Sequence, residues 1–322
     1  MSRRDDKKKP TQRWPLLEAG YAPATLAKYK PAVHRFIDWC IATGKDPQTT
    51  DDLDELLGDY FQEIHDERDG GGKSIAAATL AGIRMYIPQL KAPALPIASA
   101  VCTRWHKSRP NVSYPPLTWD LAVLIAVQMA RGGHYRAAVA TLLGFDCFLR
   151  IGELTALKRE NFADGKDVRL GSDYQRAMVS IEKAKTGRFQ SVPIEAECVR
   201  QLMADLVKRT KKGAKIFPGG EKYYRSLFKA TCTDLGLSPL YVPHSLRHGG
   251  ATRMYLRTGK IEDVLLRGRW KATQSARTYI QMGPALQMAM KLPVATGVTA
   301  QKLAKDVVLS LSLTQKHTVK GG

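Results

Sequence analysis

Long apolar runs are missing from this 322-residue chain: no stretch approaches the length that spans a bilayer, and the opening MSRRDDKKKP is charged with no apolar segment behind it. That sets aside a membrane span and a secretory signal, and points to work inside a cell, in cytoplasm or nucleoid, or in a nucleus. Cysteine is sparse. The five residues Cys40, Cys102, Cys147, Cys198 and Cys232 are odd in number and include no C-x-x-C pair, which excludes a disulfide framework and a thiolate metal site and leaves reduced, mostly buried thiols. Acidic residues are also short, 30 Asp plus Glu against 50 Lys plus Arg, for a formal charge of +20. An excess of that size, if clustered, is a footprint for nucleic acid or another anionic surface. Repeats and low-complexity tracts are absent too, and 44% hydrophobic content places the chain among globular proteins.

What is present is helical periodicity in two blocks. Residues 1–20 read as a flexible basic arm. Four helical patterns follow at 24–44, 51–67, 74–90 and 96–108, with Pro31 expected to kink or delay the first. Together they make a small all-α unit over 21–109. The proline-rich 110–117 reads as a linker, after which Thr118 is a plausible N-cap for WDLAVLIAVQMARGG, and helical patterns continue to about Leu157. The period then changes to two: Val179 and Ile181 alternate with polar residues, Thr186-Gly187 turns, and Val192 and Ile194 alternate back, a hairpin with lysines near its tip. TAQKLAKDVVLSLSL (299–313) reads as one more helix with Leu303, Val307, Val308 and Leu311 as its apolar stripe, docked either on its own domain or on a neighbouring protomer.

The chemistry concentrates in VPHSLRHGGATRMYLRTG (242–259), where two histidines and an arginine fall within five positions and small residues follow. Upstream, Arg150 stands between Leu149 and Ile151 in GFDCFLRIGELTAL and needs an anionic partner or a polar opening. Downstream, RGRWKATQSARTYIQMG carries Trp270 and Tyr279 nine residues apart. The order Arg150, Lys185, His244, Arg247, Trp270, Tyr279 resembles the signature of the tyrosine recombinase (integrase) family. The pieces LRIGEL, KTG, HSLRHGGAT and a final tyrosine cover about residues 118–292 by motif, and 20–110 only by helix pattern. LRHGGAT, LLRGRW and SARTYIQ look closer in style to recombinases of eukaryotic mobile elements and large viruses (DIRS-like, crypton-like) than to bacterial resolvases.

The resemblance implies a mainly α fold with a small antiparallel β-hairpin or sheet, as a two-domain C-shaped DNA clamp. A helical core-binding (SAM-like) domain at 21–109 and a catalytic domain at 118–292 are followed by a tail at 293–322. It implies a site-specific recombinase, with Tyr279 as nucleophile forming a 3′-phosphotyrosyl intermediate. Arg150 and Arg247 would meet the phosphate, since a guanidinium stays charged and offers paired donors. His244 would take the phenolic proton and Lys185 would protonate the leaving 5′-oxygen, with Glu153 and His248 in support. Lys183 competes with Lys185 for the hairpin role, and KTG favours Lys185. Trp270 departs from the histidine of many relatives and keeps only an N–H to donate. Tyr241 and Tyr255 are rival nucleophiles on the wrong side of Trp270. His244 and His248 at i and i+4 lack a carboxylate or cysteine at ligand spacing, so no metal is expected, and no cofactor. The partners expected are double-stranded DNA and further copies of the chain, a tetramer in the synaptic complex. Lys30, His34, Arg84, Lys107, Lys183 and Arg188 are candidate DNA contacts. A type IB topoisomerase and a non-catalytic DNA-binding protein are the competing readings.

Overall fold

The computed structural model describes residues 16–110, 114–167, 176–184 and 187–318. The chain divides into two compact units, Met1–Val112 and Ser113–Gly322.

The first unit is all helical: α1 Leu16–Ala19, α2 Pro23–Ala42, α3 Thr50–Glu67, α4 Lys73–Tyr86 and α5 Pro96–Ser108. Pro31 neither stops nor delays α2, because the helix begins earlier, on Pro23 at its first position, and continues to Ala42. The pattern read as one helix over 74–90 ends instead at Tyr86, and a 3₁₀ turn carries Pro88–Leu90, since Pro88 cannot continue an α-helix. A reciprocal cap, Thr49 accepting from Asp52 N and Asp52 accepting from Thr49 N, fixes the start of α3. Buried Asp54 receives Ile97 N and Ala98 N at 2.7 and 2.9 Å, so a carboxylate from α3 sets the N-terminus of α5. Phe36, Leu57, Phe61, Leu80, Leu95 and Trp105 close the core between the helices.

The second unit holds α6 Trp119–Arg131, α7 Tyr135–Asp146, α8 Ile151–Ala156, β1 Phe162–Ala163, β2 Met178–Ala184, β3 Gly187–Pro193, α9 Glu197–Lys208, α10 Gly220–Asp234, α11 Pro243–Thr258, α12 Ile261–Gly268, α13 Thr273–Arg277, α14 Met282–Met290, α15 Val294–Lys305 and α16 Val307–Thr318. Thr118 does cap α6, accepting from Leu121 N. Helices α6 and α7 are buried along most of their lengths and form the centre of the core. The sheet is antiparallel in the order β1-β2-β3, with Val179 opposite Val192 and Lys183 opposite Arg188. Val179, Ile181 and Val192 turn to the core while Ser180 and Ser191 pair on the other face, as a period of two requires. The fold class is thus mainly α with a small antiparallel sheet.

The stretch read as one helix over 299–313 is two helices. Asp306 breaks it, its carboxylate receiving Leu309 N at the start of α16. Both helices pack on α6 of the same unit, and Ala300, Val307 and Leu311 are members of its core. In this structure the tail therefore docks in cis.

Candidate active site

The HSLRHGGAT stretch forms the first half of α11, opened by Pro243 and by Ser245 Oγ accepting from Val242 N. His244, Arg247 and His248 fall at i, i+3 and i+4, which places them on one face near the helix N-terminus, where anions are favoured. The small residues after them have a packing cause. A Cβ on Gly249 would lie 2.0 Å from the Leu117 carbonyl oxygen, and one on Gly250 2.2 Å from that of Phe145. Helix α11 thus crosses α7 with almost no space between backbones, and this brings Arg247 inside.

Arg247 is fully buried. It donates through Nη1 to the carbonyl of Phe148 and through Nη2 to that of Gly268 (2.6 Å), while its buried Nε has no hydrogen-bond partner among the described residues. Phe148 sits in the left-handed region (φ 50°), which turns its carbonyl toward the guanidinium. Burial and the nearby Arg150 and Arg269 push the Arg247 pKa down, with Tyr279 and Glu153 acting in the opposite sense.

Arg150 is the N-cap of α8 and Glu153 its third residue, which explains the spacing in LRIGEL. The Glu153 carboxylate accepts from Arg150 N at 3.0 Å and, through its other oxygen, from Arg150 Nη1 at 2.7 Å. Four aromatic groups close over the arginines. The Tyr279 ring stacks on His248 with centroids 4.6 Å apart and lies 5.4 Å from His244 and 4.5 Å from Trp270. The Arg247 guanidinium carbon is 4.5 Å from the Trp270 ring centre and 5.3 Å from that of Tyr279. Burial first, then Arg247 and Arg150, hold His244 down to about 4, and burial with His244 does the same for His248. Both imidazoles are therefore neutral near pH 7.

The structure thus brings Arg150, Glu153, His244, Arg247, His248, Trp270 and Tyr279 together. Lys185 lies outside the described residues, and Lys183 and Arg188 are placed only by their pairing across the hairpin. Tyr241 is buried, with burial raising its pKa to about 12, and Tyr255, on the last turns of α11, packs against the cluster of Phe148, Ala251 and Val264. No group of three or more His, Cys, Asp or Glu side chains among the described residues could hold a metal ion. Of the proposed groove contacts, His34 and Lys107 are exposed, and Lys30 pairs with Glu18 at 2.7 Å. Arg84 is half-buried and donates to Leu90 O and Ser99 Oγ inside its own unit, where it fastens the 3₁₀ turn to α5.

Four further residues escaped the sequence reading. Arg267 donates twice to Asp146 O and once to Glu195, pinning α12 to the end of α7. Arg269 donates to Glu153 Oε2 at 2.6 Å. Gly268 between them has no room for a Cβ, which would meet the Trp270 ring at 1.7 Å. Thr252 Oγ1 donates to Tyr279 O and accepts from Gln281 N, tying the backbone of the tyrosine to α11. The signal was on the page in RGRW: two arginines in a mostly apolar helix end, the same argument that singled out Arg150.

The chain matches the model of the phage integrase family over residues 122–284. It is 26% identical over 255 residues to the tyrosine recombinase XerC of Brucella suis biovar 1 (strain 1330), covering 74% of this chain and 78% of that one. Among solved structures it resembles the Tn1549 transposon integrase in complex with transposon right end DNA (TM-score 0.62, 12% identity, 85% of this chain and 95% of that chain). It also resembles a lambda integrase tetramer bound to a Holliday junction (TM-score 0.56, 18% identity, 83% and 74%).

Proposed function

Since the chain belongs to the phage integrase family and is a site-specific tyrosine recombinase, we propose that Tyr279 is its nucleophile, that Arg150 and Arg247 hold the scissile phosphate, and that His244 takes the phenolic proton. The observation that carries this reading is the convergence of Tyr279, His244, Trp270 and Arg247 within ring-contact distance, beside an Arg150 that keeps some exposure.

A phenol is largely protonated at neutral pH and needs both a base and a positive field. Neutral His244 supplies the first and the paired guanidiniums the second. As the phenol oxygen bonds to phosphorus, its proton passes to His244 and negative charge spreads over the non-bridging oxygens. Each donor aimed at that charge contributes about 3–4 kcal/mol. The bond to the 5′-oxygen breaks, Lys185 protonates that leaving oxygen to a 5′-hydroxyl, and a 3′-phosphotyrosyl linkage remains. Attack by a 5′-hydroxyl from another strand reverses these steps, so the linkage conserves the energy of the broken bond. The Trp270 N–H donates to a phosphate oxygen.

Double-stranded DNA is the proposed partner, held by a basic surplus that lies mainly in the second unit, with His34 and Lys107 among the contacts in the first. The chain assembles with further copies on its sites, as a tetramer in the synaptic complex, and so mobilises or integrates a DNA element. The lambda integrase tetramer of similar fold supports that stoichiometry. Among the described residues no helix is long and apolar enough to cross a membrane.

The test is covalent trapping. Purified protein is incubated with a pool of nicked duplexes from the DNA around its own gene, denatured in detergent, and examined for a protein–DNA adduct. Wild type forms one and Tyr279→Phe does not; an adduct that survives in the phenylalanine variant shows that another residue attacks.

A further inference from the structure

Arg269 is out of place by the ordinary rules of helix termination. It occupies the left-handed position after α12 (φ 56°, ψ 42°), where glycine or asparagine is favoured, yet it carries the longest side chain that could stand there. That side chain is 6% exposed and reaches inward to Glu153, itself 4% exposed. Glu153 is the carboxylate that Arg150 binds with its backbone N–H and with Nη1. One buried carboxylate thus stands between two guanidiniums, and the Nε and Nη1 of Arg269 are buried without a hydrogen-bond partner among the described residues. Arg269 is too enclosed to meet DNA, and its side-chain hydrogen bond goes to Glu153.

We propose that Arg269 is a positioning residue for Arg150: by taking one oxygen of Glu153 it prevents that carboxylate from closing on Arg150 alone, and so keeps Arg150 turned toward the phosphate. Without Arg269 a single buried carboxylate and Arg150 form a neutral pair, with Arg150 drawn back onto Glu153. With it the three groups carry a net positive charge next to the site. The inference rests on Arg150 being a phosphate ligand, as proposed above.

The experiment measures single-turnover formation of the covalent adduct at saturating concentrations of the nicked duplex pool, alongside non-covalent retention of the same DNA. Arg269→Gly is the variant of choice because glycine suits the left-handed backbone, so the loss reports on the guanidinium. Cleavage is expected to slow by about tenfold or more, with retention changed by less than about threefold, the size of coupling seen between groups in one network. Glu153→Gln slows cleavage in the wild-type background, yet in the Arg269→Gly background it restores several-fold of the lost rate, because the unbalanced charge is then gone. Arg269→Lys, which keeps the charge, cleaves faster than Arg269→Gly and carries the test even where glycine unsettles the fold. The proposal is overturned by an Arg269→Gly protein that cleaves like wild type, or by a double variant no faster than Arg269→Gly. A wild-type protein that forms no adduct overturns the division of labour at Tyr279 instead.

Discussion

Replacing Gly250 by alanine tests the close crossing of α11 over α7. In an exposed helix interior this substitution stabilises by about 1 kcal/mol, because glycine is the poorer helix former. Here the new Cβ would sit 2.2 Å from the Phe145 carbonyl oxygen and 2.6 Å from the Phe148 ring. Ordinary C···O and C···C contacts are roughly 3.4 and 3.5–4.0 Å, so α11 must retreat by about 1 Å. One obstacle is the backbone of a fully buried helix, which leaves no flexible side chain to give way. Overpacking of this kind costs about 1–3 kcal/mol, and at about 2–4 °C per kcal/mol for a unit of this size the melting temperature falls by roughly 2–12 °C. The displacement also moves Arg247 and His248, and a 1 Å misplacement of site groups costs on the order of 10²-fold in rate. Scanning calorimetry and single-turnover adduct formation read the two effects. Gly297→Ala is the control, since nothing lies within 4 Å of a Cβ there and the melting temperature should rise slightly. A Gly250→Ala protein that melts at or above the wild-type temperature and cleaves at the wild-type rate refutes the reasoning.

Arg247→Lys removes a planar donor that satisfies two carbonyls, Phe148 O and Gly268 O, from one buried position. It should lower adduct formation on the order of 10²-fold or more even though the charge is retained. His244 and His248 are held near 4 against an ordinary 6.5, so between these values the unfolded chain binds protons that the folded one refuses. Stability therefore falls as pH drops from 6.5 toward 4, and His248→Gln should flatten that part of the melting-temperature profile. At subsaturating DNA the acid limb of the cleavage rate should lie nearer 4 than 6.5; a limb at 6.5 contradicts a desolvated His244 as base. If about ten phosphates are neutralised, log binding constant against log salt should have a slope near −9, and a slope near zero excludes electrostatic gripping.

The site was legible where side-chain chemistry conflicts with its setting. Arg150 in an apolar stretch, and His244, Arg247 and His248 at one helix start, stand out because charge and burial oppose each other. Arg267 and Arg269 stand out in RGRW by the same conflict, but what Arg269 does depends on a left-handed backbone and on a partner 116 residues away, which the sequence does not show. Helix existence followed from spacing, while ends did not. Pro31 reads as a breaker only until α2 is seen to begin at Pro23, and Asp306 reads as one polar residue in an amphipathic run until its carboxylate caps a second helix. That Arg84 reaches Leu90 O and Ser99 Oγ is likewise not visible in the sequence.

The packing of α15 and α16 against α6 has a consequence for how the molecule is made. The first unit has every element of its core once Trp105 has been synthesised, and it can fold while translation continues, as domains commonly do. The second cannot: α6 is produced early but stays bare on one side until Ala300, Val307 and Leu311 emerge to cover it. A chain of this family thus gains its second unit only after the ribosome has passed Tyr279. A message cut short before codon 300 yields a protein with an unsheathed apolar helix, a substrate for chaperones and proteases rather than a partial nuclease.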